Sequence, residues 1–390
     1  MTPGELGRGD PLDRAVPRRR GPAGIGRLDF LLRTRGALGL TATAVPALFF
    51  VPLGIVLGPH VLDVLSLNTL AHLDAVVSVA LATLGIFVGL ALDLRSPRER
   101  RLFWAADVES LVTIGTVAGA MLVLLAMWQA PIDGPLVSVA LALGIAASAS
   151  SGGAAAADGN VFHRLASHIA ELDDVVPIAA TGFVIVAIQG STVTDIIRFA
   201  AFTVLLGILI GVAGWLLFEQ AHDVAEQGVF VVGAVVLLGG TTAYLSLSPL
   251  LAGMVAGMVW RNAPGRAGQI LGDTLRTIQH PLIVLLLLAS GASLEWSRLA
   301  IWLFAPFVLF RITGKLLGAR VARRLAAPLE AADLGVYLLP PGVIGIAFAL
   351  NVQQVASPIT GSALLTAVTV GTLACELLAL VELPRAEETA

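Results

Sequence analysis

Asp173 and Asp174 are adjacent carboxylates at the head of an apolar run that continues to Gln189. A charge at the centre of a bilayer costs roughly 2.5–3.5 kcal/mol on insertion scales. Carboxylates persist there when they face a cavity, meet a counter-charge or carry an ion. The candidate counter-charge is Lys315, within Phe310-Arg311-Ile312-Thr313-Gly314-Lys315-Leu316-Leu317-Gly318. It is the chain's one lysine, every other Lys/Arg position being arginine. Asp173, Asp174 and Lys315 together are the candidate centre of an ion-transport site.

The elements that position these residues are membrane helices. The chain is 57% hydrophobic and 13% charged, against about 25% charged in an average soluble domain. Twelve apolar segments recur, at about 36–58, 71–92, 108–128, 136–157, 172–189, 196–217, 228–245, 249–260, 281–294, 299–318, 333–355 and 361–382. Their lengths indicate an all-α polytopic membrane protein. Several are too short to cross ~30 Å of hydrocarbon as straight helices, so tilts or breaks are expected.

Arginine placement predicts the orientation. The stretch 1–35, rich in Gly, Pro and Arg, holds Arg8, Arg14, Arg18, Arg19, Arg20, Arg27, Arg33 and Arg35, and reads as a disordered cytoplasmic tail rather than a signal peptide. Even-numbered connections hold most of the other arginines, whereas odd-numbered ones offer Arg198 and Arg298. The positive-inside rule places both termini in the cytoplasm, including a short tail at 384–390. On this topology Asp173 and Lys315 each lie 16 residues from the outer end of their segments, at matching depths of about 24 Å. A salt bridge is geometrically allowed. Glu376 is a rival partner for Lys315, and Arg311 shares a helix face with Lys315 at i, i+4 spacing.

Segment 4 contains Ala147-Ser148-Ala149-Ser150-Ser151-Gly152-Gly153 and segment 11 contains Leu339-Pro340-Pro341-Gly342-Val343. Small, hydroxyl-bearing and helix-breaking residues inside a span free backbone groups that need partners, often an ion or water. Segments 3–5 and 10–12 can be read as inverted repeats, with two broken, crossing helices in corresponding positions. Ser150 and Ser151 are candidate oxygen ligands there, with helix-packing roles as the plain alternative. For Asp173 and Asp174 the plain alternative is stabilisation by the dipole of helix 5, and for Lys315 it is snorkelling towards the interface.

These residues carry a resemblance. Over nearly all of 36–382 the chain resembles the monovalent cation:proton antiporter superfamily, in its second branch. Pro52-Leu53-Gly54-Ile55-Val56-Leu57-Gly58-Pro59 is similar to the family's first helix end, and Leu84-Gly85-Ile86-Phe87-Val88-Gly89-Leu90-Ala91-Leu92-Asp93 to its Gly-Leu-Glu-Leu-Asp type segment. Leu247–Gly257 and Ser290-Gly291-Ala292-Ser293-Leu294 resemble two later signatures. Leu172-Asp173-Asp174 resembles the aspartate pair of helix 5, and Lys315 falls where the branch has its helix-10 lysine.

The resemblance implies exchange of a monovalent cation, Na⁺ before K⁺, for protons. Asp174 would bind cation and proton in turn, and Asp173 would pair with Lys315 and release it when the cation enters. Asp173 and Asp174 would ligate Na⁺ or K⁺ with help from Ser150 and Ser151, and Lys315, Arg311 and Glu376 would compensate charge. It further implies a homodimer in the plasma membrane. In it, a core of 108–189 and 299–382 would move against a dimerisation scaffold of 36–92 and 249–294, within a transporter domain at 36–383.

Departures leave a second possibility, a non-exchanging channel-like or sensory member of the same scaffold. The helix-4 motif commonly reads Thr, then Ser or Asp, then Pro, where this chain has Ser150, Ser151 and Gly152. Helix 11 in many relatives carries Arg-Gly-Glu, where this chain has Pro341-Gly342-Val343. No C-terminal nucleotide-binding regulatory domain is expected. A third reading, transport of a small organic anion, would use Arg311 and Lys315 as the anion site. No zinc spacing, nucleophile–base constellation or nucleic-acid module stands out, so neither an enzyme nor a bound cofactor is expected. His163 and His168 read as loop residues near the cytoplasmic mouth, and His72, Asp74 and Asp93 as interfacial.

Overall fold

The structure is a computed structural model that describes residues 44–92, 97–127, 134–151, 169–189, 191–221, 223–264, 267–326 and 334–389. The Arg-rich stretch 1–35, Asp93, His163 and His168 lie outside the described residues. Among the described residues the elements are helices: α1 Ala44–Leu57, α2 Leu67–Ala91, α3 Pro97–Met127, α4 Gly134–Ser148, α5 Val175–Ile188, α6 Val193–Gln220, α7 Val224–Tyr244, α8 Pro249–Asn262, α9 Ala267–Ala292, α10 Arg298–Ala326, α11 Leu334–Tyr337, α12 Val343–Val355 and α13 Pro358–Thr389.

Among the described residues, six helices contain stretches long and apolar enough to cross a membrane, and shorter apolar helices include Leu136–Ser148 and Val343–Val355. Apolar side chains also cover exposed helix faces, as with Phe202, Leu209, Val229, Leu237 and Trp302. In water such faces would drive association, whereas in lipid they are solvated. The chain is a multi-pass helical membrane protein.

Each apolar segment contains a helix, but several helices outrun their segments, α9 and α13 among them. Helix α3 begins at Pro97 rather than near 108, and α10 continues to Ala326, past Arg320, Arg323 and Arg324. Hydropathy marks the part of a helix that suits lipid, whereas backbone hydrogen bonding carries the helix on into polar sequence. Local chemistry sets several starts. Thr192 and Asp195 form a capping box on α6, and Ser248 caps α8 by accepting from the Leu251 amide, with Pro249 in the first turn.

Close backbone approach between α2 and α8 is built from reciprocal small residues. A Cβ added to Gly85 would strike the Leu250 carbonyl oxygen, and one on Gly89 the Met254 carbonyl oxygen. In return, Gly253 and Gly257 lie against the carbonyl oxygens of Ala82 and Ile86. Small-xxx-small pairs of this kind let helices pack tightly where lipid supplies no hydrophobic drive. The sequence stretches 84–93 and 247–257 therefore include a helix–helix seam. Helix α1 packs on α9 in the same manner, with Gly54 against the Leu288 carbonyl and Gly291 against that of Val51.

Helix α3 lies along α10 and beside α4, and α13 packs against both α10 and α12. The breaks in segments 4 and 11 meet. Ser150 and Pro341 form an isolated antiparallel β-bridge, and the Ser151 amide donates to the Pro340 carbonyl at 2.8 Å. A Cβ on Gly342 would lie 2.7 Å from the Ser150 carbonyl oxygen, which is why the crossing tolerates glycine there.

Replacing Gly85 or Gly253 with leucine is expected to separate α2 from α8 and lower the melting temperature in detergent, overpacking of this kind costing about 1–3 kcal/mol. Gly115→Leu, where nothing stands within 4 Å of an added Cβ, is the control. Equal melting temperatures for all three variants would show that the seam is not under steric constraint.

Candidate functional site

The chain enters α5 through a helical turn at 169–172 and a bend at 173–174. Asp174 occupies the N-cap position of α5, yet its side chain makes no capping hydrogen bond. Both carboxylates lie beside the positive end of the helix, where partial charges on free amides favour anions. Asp173 is 0% and Asp174 3% exposed, so the dipole does not hold them at a solvated helix edge.

Lys315 reaches this bend from α10. Its Nζ donates to Asp173 Oδ2 at 2.9 Å, to Glu109 Oε2 at 3.0 Å and to the Ser148 carbonyl oxygen. An ammonium has three N–H donors, and all three are used at 0% exposure. Lys315 does not snorkel. The Ser148 carbonyl lies at the end of α4, where the helix no longer supplies amide partners. One cation thus satisfies two carboxylates and a helix terminus.

The Asp173 carboxylate is further anchored by Ser150, whose Oγ donates to Oδ2 at 2.7 Å. Ser110 Oγ donates to the Asp173 carbonyl at 2.6 Å. The other carboxylate oxygen, Asp173 Oδ1, has no hydrogen-bond partner, and neither do the buried atoms Asp174 Oδ1 and Ser151 Oγ. Asp174 lies within electrostatic reach of Asp173, Lys315 and Arg311. When ionised, Glu109, Asp173 and Asp174 set three negative charges around Lys315, with Glu171 and Arg311 also within reach of Asp174. A buried cluster rich in carboxylates favours uptake of protons or cations.

Arg311 is 1% exposed and bonds to backbone. Its guanidinium donates to the carbonyls of Ala147, Ala149 (2.9 Å) and Leu339 (3.4 Å). Arginine presents donors in a rigid fork, and here the fork ties the end of α4 to the break before α12. Arg311 therefore holds the crossing together rather than pairing with a carboxylate. Glu376, on α13, is 2% exposed with Oε2 unpartnered, and it lies within electrostatic reach of Arg311. It is not among the hydrogen-bond partners of Lys315. The anion-site reading of Arg311 and Lys315 meets an obstacle, since carboxylates and a carbonyl take the three donors of Lys315 and the terminal nitrogens of Arg311 bond carbonyls, with Arg311 Nε left unpartnered.

Glu109 is the residue that sequence reasoning passed over. The segment boundary at 108 leaves Glu109 one residue inside segment 3. Helix α3 actually starts at Pro97, which places Glu109 twelve residues in, about 18 Å along the axis. Its Oε1 accepts from Thr113 Oγ1 at 2.9 Å, and its side chain is fully buried. Gly318 brings α3 and α10 together at this level, because a Cβ there would lie 2.7 Å from the Glu109 carbonyl oxygen. The available signal was an i, i+4 Glu-Thr pair facing Gly314 and Gly318. It becomes readable only once the true helix start is known. Exposed His72 and Asp74 stand at one end of α2, away from this cluster.

No protein-family profile matches the chain, and no curated protein sequence matches it. Solved structures do. The sodium proton antiporter MjNhaP1 from Methanocaldococcus jannaschii, determined at pH 8, superposes with a TM-score of 0.62 at 15% identity, covering 91% of this chain and 95% of that one. An electron-microscopy map of the same antiporter gives a TM-score of 0.54 at 15% identity, over 85% and 87% of the two chains. The chain shares the fold of that antiporter. In that fold the buried Asp173–Lys315–Glu109 cluster sits beside the crossing of the two broken segments.

Lys315→Met leaves Glu109 and Asp173 as uncompensated buried carboxylates. It is expected to destabilise the protein by about 3–5 kcal/mol, as for a broken buried ion pair. Adding Glu109→Gln to that variant should recover part of the loss in a detergent unfolding titration. A double variant less stable than Lys315→Met alone would argue against charge compensation as the reason for the cluster.

Proposed function

We propose that the protein is a secondary transporter that exchanges a monovalent cation, Na⁺ in preference to K⁺, for protons. The observation that carries this reading is the buried Asp174 carboxylate. It forgoes helix capping, keeps one oxygen unpartnered and lies next to an aspartate already paired with Lys315. The likeness to an antiporter fold supports the same class of chemistry.

Asp174 is the shared site. Either a proton or a cation neutralises it, so each occupant excludes the other, and competition for one carboxylate is sufficient for exchange. Asp173 is the adjustable partner: while it holds Lys315 it is compensated, and an arriving cation displaces the ammonium. The unpartnered Asp173 Oδ1 and Ser151 Oγ, with the Ser150 hydroxyl, supply oxygen donors of the kind a hard monovalent cation takes. Glu376 and Arg311 balance charge around the crossing of the broken segments. The reaction needs no cofactor and no covalent chemistry.

The protein works in the plasma membrane as a homodimer with both termini in the cytoplasm. Segments 3–5 and 10–12 form the moving core, and segments 1, 2, 8 and 9 form the scaffold. Arginine placement supports the orientation, and the tight α2–α8 and α1–α9 seams suit a rigid scaffold.

The test is proton movement in proteoliposomes containing a pH-sensitive dye, with Na⁺, K⁺ or Li⁺ added in turn. Wild type should show cation-dependent proton flux, and Asp174→Asn should lose it while eluting as folded protein on gel filtration. Full exchange by Asp174→Asn would remove Asp174 as the carrier. Cation flux without proton movement in wild type would replace antiport with the channel-like reading.

A further inference from the structure

Glu109 holds one N–H of the ammonium that Asp173 also uses, at nearly equal distances of 3.0 and 2.9 Å. Two carboxylates on different elements thus share one cation. Thr113 orients Glu109 from the other side by donating to Oε1, and Gly318 keeps α10 close enough for contact. Charged groups face Glu109 from two directions: Lys315 from α10, and Asp173 from the bend before α5. Helix α4, also packed on α3, has no titratable side chain within Gly134–Ser148.

We propose that Glu109 is a positioning residue that sets cation affinity by drawing Lys315 away from Asp173. The proposal rests on the exchange reading above and deepens it. Displacing an ammonium from Asp173 into a low-dielectric interior would strand a charge. Glu109 gives that ammonium a second carboxylate already in contact, so Lys315 stays compensated while Asp173 turns to the incoming cation. Glu109 also adds one negative charge to the cluster without being a cation ligand. Removing its charge leaves Lys315 bound to Asp173 and the Ser148 carbonyl, and it takes one negative charge from the cluster. Both changes weaken cation binding without removing Asp174.

The experiment compares Na⁺ dependence in wild type, Glu109→Gln and Glu109→Asp. It uses the proteoliposome proton-flux assay and, separately, the Na⁺ concentration for half-maximal thermal stabilisation of the purified protein. Glu109→Gln should raise both the KM for Na⁺ and the half-stabilising concentration by about tenfold or more, given the Coulomb energy of one buried charge. Maximal flux per folded protein should stay within about twofold. Glu109→Asp keeps the charge but retracts it by one methylene, so its KM should fall between the two.

An unchanged KM with lower maximal flux or lower folded yield would make Glu109 merely structural and overturn the proposal. If Glu109→Gln fails to fold, Glu109→Asp decides, and an unshifted KM in that variant overturns it. Wild type that binds Na⁺ without exchanging protons would remove the exchange reading, while the half-stabilising concentrations would still judge Glu109. Wild type that neither exchanges protons nor is stabilised by Na⁺ would overturn both.

Discussion

Burying an ammonium is the constraint around which this protein is organised. Lys315 has no solvent to fall back on, and an isolated charge in that environment is prohibitively costly. The fold meets the demand from three sides: Glu109 on α3, Asp173 before α5, and the buried Ser148 carbonyl at the end of α4. Each partner comes from a different element, so the ion contact and the packing of these helices depend on each other.

The crossing of segments 4 and 11 solves a related problem with neutral groups. Breaking a helix in a membrane frees amides and carbonyls that lipid cannot satisfy. Here the two breaks satisfy one another through the Ser150–Pro341 bridge and the Ser151–Pro340 hydrogen bond. Arg311 collects the leftover carbonyls of Ala147, Ala149 and Leu339. The absence of the Arg-Gly-Glu charges at Pro341-Gly342-Val343 acquires a physical context in this arrangement. The crossing is held by backbone pairing and by a guanidinium from α10, so its own residues need carry no charge.

The surplus of negative charge links architecture to chemistry. A cluster balanced to neutrality would be inert towards cations, and one without Lys315 would be unstable. A cluster of Glu109, Asp173 and Asp174 around Lys315, with Arg311 within reach of Asp174, lies between these limits. The ion pair stabilises the fold, while the remaining charge gives a proton or a monovalent cation a reason to enter. The same arrangement makes Asp173 and Asp174 unequal despite their adjacency. Asp173 is engaged by Lys315 and Ser150, whereas Asp174 makes no such contact.

The sequence by itself determined that this is a helical membrane protein, because runs of about 20 apolar residues have few other stable solutions. It also singled out Asp173, Asp174 and Lys315, since ionisable groups inside such runs are conspicuous. The breaks were visible as Ser-Ser-Gly-Gly and Pro-Pro-Gly. Tertiary structure alone decided the partners. Arg311, expected among the charge-compensating residues, lies within electrostatic reach of Asp174 and Glu376 and also binds carbonyls, because which groups a helix break exposes depends on the crossing geometry. Glu376 offered itself as a partner for Lys315 by depth, yet Glu109 makes the contact. The reason is that α3 begins eleven residues before its apolar run, and that Gly318 lets α3 and α10 approach. Hydropathy reports how each stretch meets lipid. Which buried charges face one another depends on helix register and rotation, and these are properties of packing that no single stretch of sequence carries.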